Sequence, residues 1–468
     1  MLHVCYGNQL EVLADQLAEH LDSHAVEPLE PELIAVQGHA VSRWLALRLA
    51  TDRGISANNK MLFPAELLWL LFRRVLPDDV PPFNGFSAQT LAWRVLALLQ
   101  SEQFVSGHAA LAHYLETASS VSQWQLAERL GRQFEQYLIY RPDWIKQWES
   151  EGDTHWQAAL WRRLLTTGDD RHWLNLRARL VKVMAQEPAA GDRLPVRISL
   201  FGLPTLSEVY LGILQTIAAY CDVRIYALNY SSVFWADIVS DKERTRQALS
   251  DESGLADYME TGNSLLASLG RQGRAYFGQL LELDALDEEV FHPPASNTLL
   301  GQIQSDIFYL REGGDEGVQR EVEPSDDSIQ IHVCHSPMRE VEVLHDRLLD
   351  QFDRQPNLDP AEVLVLVPDI ETYAACIEAV FGTLTDDRRI PFRIADCGQS
   401  QRTSLIETFF ALLDMPYGRY DATAVSTPLA EPAIQKQFDL SGTDVDQILY
   451  WIRESGIRWG IDAADMTK

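Results

Sequence analysis

Short apolar runs, each followed by a turn and a helical-period segment, constrain this chain most, because a strand that is apolar throughout must be covered on both faces. Residues 2–6 form such a run; Gly7 and Asn8 turn the chain, and Leu10, Leu13, Leu17 and Leu21 then recur at helical spacing. Residues 33–36 repeat the plan before Val41, Trp44, Leu45 and Leu49. Residues 196–202 and 223–228 continue it, separated by a helix through Leu206, Tyr210, Leu214 and Ile217. Strands alternating with helices predict a parallel α/β sheet. Between the second and third runs, from about residue 64 to 187, the pattern is helical. Pro64 sits where a helix starts, and residues 91–99, 124–137 and 173–184 keep the 3.6-residue period.

Helices are also expected around 265–281 and 299–310, with the polar, acidic stretch 241–263 as an exposed excursion. Segment 313–327 has the glycine, proline and acid content of an interdomain linker. Beyond it the alternation restarts, with strands expected at 329–334, 363–367 and 392–395 and helices at 339–352, 372–381 and 404–413. The expected organisation is a first α/β domain from residues 1–88 and 190–311, a helical insertion over 89–189, a linker over 312–327 and a second α/β domain over 328–468. No internal repeat interrupts this plan.

The chain carries 39 Lys+Arg against 68 Asp+Glu, a net charge of −29. Such a balance opposes a nucleic-acid partner, whose phosphates must be neutralised by cations. The distribution reverses that reading locally. Residues 33–200 hold 19 basic and 16 acidic side chains together with nine of the twelve tryptophans. Arg43 adjoins Trp44, Arg73 and Arg74 follow Trp69, Arg141 precedes Trp144, and Arg162 and Arg163 follow Trp161. Rings for bases and cations for phosphates are what a single-strand groove uses. Tryptophans at helical spacing are more often core than platform, so only a few of the nine are expected to face a ligand.

No apolar run reaches the ~18–20 residues of a membrane span. The N-terminus lacks the basic start and apolar stretch of a secretory signal, so a cytoplasmic protein is expected. Five scattered cysteines, Cys5, Cys221, Cys334, Cys376 and Cys397, never spaced as C-x-x-C, encode neither a disulfide framework nor a zinc site.

Two α/β domains with a helical insert suit a motor that hydrolyses a nucleotide between them, and that chemistry needs G-x-x-x-x-G-K-[ST] at the first strand–turn–helix. Here the turn reads Tyr6-Gly7-Asn8-Gln9-Leu10-Glu11, with no lysine and an acid that repels phosphate. The strand at 198–201 also ends without the expected Asp-Glu. No ATP hydrolysis, no cofactor and no catalytic residues are therefore expected in this chain. His332, Cys334 and His335 lie close together, but Ser336 reads as a helix cap and the group as packing, because zinc wants four grouped donors. Asp78-Asp79, Asp169-Asp170 and Asp386-Asp387 read as turn residues.

Longer strings add a resemblance. His332-Val-Cys-His-Ser-Pro-Met-Arg-Glu-Val-Glu-Val-Leu-His-Asp-Arg-Leu-Leu349, Gln136-Tyr-Leu-Ile-Tyr-Arg-Pro-Asp-Trp144 and Glu454-Ser-Gly-Ile-Arg-Trp-Gly-Ile-Asp462 closely resemble the RecC family, the gamma subunit of exodeoxyribonuclease V. Similarity at 297–306 and 378–382 extends it over essentially the whole chain, which looks like the N-terminal, truncated part of a longer subunit. The resemblance implies a fold of two RecA-like, superfamily 1 helicase-like parallel-sheet domains with a helical insertion in the first. It implies a non-catalytic subunit partnered by DNA, a RecB-like helicase–nuclease and a RecD-like helicase, with ATP and Mg²⁺ used by those partners. In that family the subunit splits the duplex and scans the 3′ strand for the Chi sequence, in double-strand-break repair by homologous recombination.

The DNA-contacting residues implied by the resemblance are Gln37, His39, Arg43, Phe63, Trp69, Glu135, Gln136 and Arg141. Gln37, Trp69, Gln136 and Arg141 match the family pattern, and Glu135 stands where a shorter acid is expected. His39, Arg43, Phe63, Arg132 and Gln133 differ in type from the corresponding positions. Two other readings stay open: an active helicase or nuclease in its own right, and a structural scaffold whose tryptophans are all core.

Overall fold

The protein, a computed structural model, is described for residues 1–23, 26–27, 29–150, 155–166, 170–250, 261–313, 322–383, 388–395 and 404–460. The chain divides into two compact units, Met1–Ile329 and Gln330–Lys468.

In the first unit, β1 (Leu2–Gly7), α1 (Leu10–Ser23), β2 (Glu32–Val36), α2 (His39–Arg53), β3 (Asn59–Leu62) and α3 (Pro64–Val75) come first. The helical block follows as α4 (Ala88–Leu99), α5 (Glu102–Val105), α6 (Ala109–Thr117), α7 (Ser120–Tyr140), α8 (Pro142–Glu149), α9 (Trp156–Thr166) and α10 (Trp173–Gln186). The chain then returns through β4 (Arg197–Phe201), α11 (Glu208–Ile217), β5 (Asp222–Leu228), α12 (Asp241–Ser250), α13 (Ser264–Leu269), α14 (Arg271–Leu281), β6 (Leu286–Glu289) and α15 (Leu299–Phe308).

The six strands form one all-parallel sheet in the order β3-β2-β4-β5-β1-β6. The pleat sorts successive residues to opposite faces. Cys5, Ile34, Val36, Phe201 and Tyr226 face α1 and α2 through Leu13, Leu17, Leu45 and Leu49. Val4, Leu33, Ala35, Leu200 and Ile225 face α3, α10, α11 and α14 through Leu67, Leu71, Leu180, Ile213 and Leu280. Both faces are therefore covered, which is why the runs are mostly apolar. The expected parallel α/β sheet is present here.

The block has its own core of Phe86, Leu91, Val95, Phe134, Trp148 and Trp161. Gly131 lets α7 approach α4: a Cβ there would lie 2.6 Å from the Ala88 carbonyl oxygen and 2.8 Å from the Ala92 nitrogen. Arg94 ties the block together, donating to the carbonyls of Gly85 and Leu164 while lying over the Phe86 ring.

Three local expectations change. β3 and β6 form where no strand was expected, the helix expected over 265–281 breaks at Gly270, and α12 occupies the start of the polar excursion. Of the expected linker, residues 314–321 lie outside the described residues; at its end Asp326 accepts the Leu299 N–H at 2.6 Å and Ser328 accepts that of Leu300 at 3.2 Å.

The second unit holds α16 (Pro337–Arg354), α17 (Ile370–Phe381), α18 (Ser404–Asp414), α19 (Ala422–Ser426), α20 (Pro432–Gln437) and α21 (Gly442–Ser455). The helices expected at 339–352, 372–381 and 404–413 are there. The strands expected at 329–334, 363–367 and 392–395 are not: no β-ladder occurs among the described residues of this unit. The physical reason lies in the exposure of Ile331, Val333, Leu364 and Leu366, which have no covering layer among the described residues. α16 and α17 instead bury Val341, Phe381 and Ile390 between themselves. Ser336 does cap α16, accepting the Arg339 N–H at 3.3 Å.

Among the described residues no helix is long and apolar enough to cross a membrane, and no group of His, Cys, Asp and Glu is placed to hold a metal ion. Cys397, Asp169, Asp386 and Asp387 lie outside the described residues.

Candidate nucleic-acid interface

Two of the residues singled out from the sequence meet in one cavity. Trp69, on α3, and Glu135, on α7, line a space of about 100 Å³ with Phe72, Asn84, Phe86, Trp173 and Tyr210. Pro64 at the start of α3 and the Glu66 carboxylate, which accepts the Phe63 N–H at 3.0 Å, fix the helix that carries Trp69. The Trp69 ring meets Phe72 edge-on at 6.1 Å and packs against the sheet core, so it is half-buried. Glu135 accepts the N–H of Ala88 at 3.1 Å, a carboxylate at the N-terminus of α4 where the helix dipole favours it. Trp173 and Tyr210 complete the wall with rings 5.7 Å apart. Burial pushes the Tyr210 phenol up, and the neighbouring Tyr140 and Glu135 push it the same way, so it stays a neutral donor. Flat apolar walls with a carboxylate at one edge suit a planar group bearing N–H donors.

The other candidates lie outside the cavity lining. Gln37 follows β2 and Phe63 follows β3, at the carboxyl ends of two paired strands, where parallel sheets bind ligands. His39, at the start of α2, meets the Phe63 ring at 5.0 Å. Gln37, His39 and Arg43 are exposed. Gln136 is exposed beside Glu135, and exposed Arg141 ends α7 with its guanidinium 5.6 Å from the Trp144 ring centroid. Arg132 is committed to Glu128 at 2.6 Å, one turn back on the same helix.

The nine tryptophans differ in burial. Trp148 and Trp161 are buried in the block, and the Trp161 indole N–H donates to Glu149 at 3.1 Å beside buried His172, 2.9 Å from the same oxygen. Trp44, Trp69, Trp124, Trp156 and Trp173 are half-buried, while Trp93 and Trp144 are exposed.

Sequence reasoning missed Tyr210 and Phe86 as cavity walls. Both sit in ordinary apolar patterns, and only the meeting of α3, α7, α10 and α11 singles them out. It also missed a feature of the first turn. The Asn8 side chain donates to the His292 carbonyl at 2.8 Å and accepts the His292 N–H at 2.9 Å. A Cβ at Gly7 would lie 3.1 Å from both Leu13 and Val290. The turn where a nucleotide phosphate would sit is engaged by the chain itself.

Comparison with known proteins agrees with the motifs. Residues 2–310 match the family described as RecC, N-terminal domain, and residues 402–468 match RecBCD enzyme subunit RecC fourth domain. The RecBCD enzyme subunit RecC of Escherichia coli (strain K12) is 34% identical over 99% of this chain and 45% of its own length. That of Haemophilus influenzae is 31% identical over 98% and 46%, and that of Mycolicibacterium smegmatis 30% over 98% and 43%. The chain thus spans less than half the length of these relatives. The matched N-terminal model covers most of the sequence, and with it the sheet, the helical block and the cavity: the chain belongs to the RecC family.

Proposed function

We propose that this chain is the DNA-recognising part of a RecBCD-type subunit, working with a RecB-like helicase–nuclease and a RecD-like helicase in recombinational repair. In this reading its first unit, with the unit that follows, is a helicase-like pair that no longer hydrolyses ATP. The pair works in the cytoplasm at a forked duplex, where it scans the 3′ strand for a Chi-type sequence. ATP and Mg²⁺ chemistry belongs to the partners. The observation that carries the reading is the cavity in which Trp69 and Glu135 meet, within the stretch 33–200 where cations outnumber acids, with Gln136 and Arg141 exposed. Rings for stacking, a carboxylate for base N–H groups and cations for phosphate are the parts that reading a single strand requires. The loss of hydrolysis is supported by a first turn without lysine, held by Asn8 on His292.

The test measures single-strand binding and ATP hydrolysis on one sample. Salt-dependent binding with no DNA-stimulated turnover is expected. Turnover that disappears when residues 6–11 are altered would establish the active-motor reading instead. In a complex assembled with both partners, a Trp69→Ala, Arg141→Ala double variant is expected to keep unwinding and lose the Chi-dependent switch; normal switching removes these residues from recognition.

A further inference from the structure

The stretch whose composition reads as a linker is fastened to the first unit at both of its ends. At the near end Glu312 reaches the start of α13, where its carboxylate accepts the Ser264 N–H at 2.7 Å and the Ser264 hydroxyl at 2.8 Å. Buried Asn263 donates to the Arg311 carbonyl at 2.8 Å. Leu310 packs on the core of Trp235, Ile238 and Leu266 with a left-handed φ of 52°. A leucine holds that conformation only where its surroundings impose it. At the far end the Asp326 carboxylate accepts the Leu299 N–H at 2.6 Å and the Ser328 N–H at 2.9 Å, while Ser328 Oγ accepts the Leu300 N–H at 3.2 Å. Thr298 accepts the next N–H, that of Gly301, at 3.1 Å. The first N–H groups of α15, which have no partner inside the helix, are met in this way. The helix dipole favours an acid there, and the bonds from Ser328 and Leu299 hold the Asp326 carboxyl below the usual carboxylate range. α15 is itself fixed: the Phe308 carbonyl accepts from the Ser231 and Ser232 hydroxyls and from the Ser232 N–H, on the chain that leaves β5.

We propose that residues 312–328 are a strap of the first unit and not a tether between the units, with Asp326 and Ser328 on the N-terminus of α15 as its fixed far end. The joint between the units then begins only after Ser328. The near end leaves from the C-terminal end of α15, where the Arg311 N–H donates to the Asp306 carbonyl at 2.8 Å. The two fastenings are therefore separated by about the length of a ten-residue helix, ~15 Å. Residues added between two fixed points enlarge a loop at small cost. Residues added to a tether widen the reach of what it carries. The inference holds whatever ligand the first unit takes.

The two arrangements separate in the whole chain with one dye on each unit, attached at Glu19 of α1 and Arg347 of α16, both exposed. Single-molecule energy transfer then reads the distribution of distances between the units. A Gly/Ser insert of about six residues placed within 314–321 should leave that distribution as it is in the unaltered chain, and the same insert placed directly after Ser328 should broaden it. An Asp326→Ala, Ser328→Ala double variant frees the far end, so it should also broaden the distribution and lose amide-exchange protection at Leu299 and Leu300. Asp326→Asn keeps an acceptor oxygen and should lie between the two. An insert within 314–321 that broadens the distribution as much as the one after Ser328 makes the stretch a tether and overturns the proposal. So does an insert after Ser328 that changes nothing, or full protection of Leu299 and Leu300 in the double variant.

Discussion

The two units carry similar sequence patterns and bury them differently. In the first, each apolar run lies between helices on both sides of a sheet, and Leu33 in β2 is 1% exposed. In the second, residues 363–367 are just as apolar and are also followed by a helix, yet Leu366 is 83% exposed and no ladder forms. The difference shows that an apolar run specifies a strand only where neighbours satisfy its backbone and cover both of its faces. The helical block of the first unit meets its own need for burial, closing on Trp148, Trp161 and Phe134.

The largest effect should come from breaking that closed core. Trp161→Ala is expected to cost ~3–5 kcal/mol, the range for large aromatic truncations. It also removes the indole N–H that Glu149 accepts. Chemical denaturation of the whole chain measures it, and a change below ~1 kcal/mol would show the block to be loosely packed.

A second test uses pH. Burial by itself would raise the pKa of Asp222, but the close approach of His20 Nε2, 3.1 Å away, and the charge of Arg224 outweigh it and hold the carboxyl at about 2. A carboxylate with a depressed folded pKa contributes stability that is fully present above its unfolded value of ~3.9. That contribution is lost as pH falls from there through the folded value. The first unit should therefore lose stability between about pH 4 and pH 2, and Asp222→Asn should flatten this limb. An unchanged pH profile in Asp222→Asn would show that His20 and Arg224 do not act through this carboxylate.

In the cavity, Trp69→Ala is expected to weaken single-strand binding by ~1–3 kcal/mol. Because the ring also packs on the core beside Phe72, some stability should be lost as well. Trp69→Phe should keep the fold and part of the stack. Loss of stability with unchanged affinity would make Trp69 a core residue only.

How much of this could be read from the sequence follows from the same contrast. The runs at 2–6, 33–36 and 223–228 were legible because double coverage makes most positions apolar, His3 and Arg224 excepted. β6, Leu286-Asp-Glu-Glu289, was not: as an edge strand beside β1 it pairs through its backbone while its side chains stay mostly in solvent. The break at Gly270 was hidden because apolar spacing continues from α13 into α14. Trp69 and Glu135 came from the resemblance, and their meeting is a product of how α3 and α7 pack. Tyr210 and Phe86 carry no mark in the sequence, since a cavity wall and a core position use the same residue types.

The smallest expected effect decides whether the comparison holds. Leu33→Ala and Leu366→Ala remove the same atoms from two similar runs. Leu33 is enclosed by the sheet core, so its truncation should cost ~2–5 kcal/mol. Leu366 has no covering layer among the described residues, so the same change should stay within ~0.5 kcal/mol. Denaturation of both variants, with amide exchange followed at 363–367, reads the two outcomes side by side. Fast exchange with an unchanged midpoint would fit a run that has apolar sequence and no ladder. A cost near that of Leu33→Ala, with slow exchange, would mean that the run is covered in solution, and the contrast between the units would vanish.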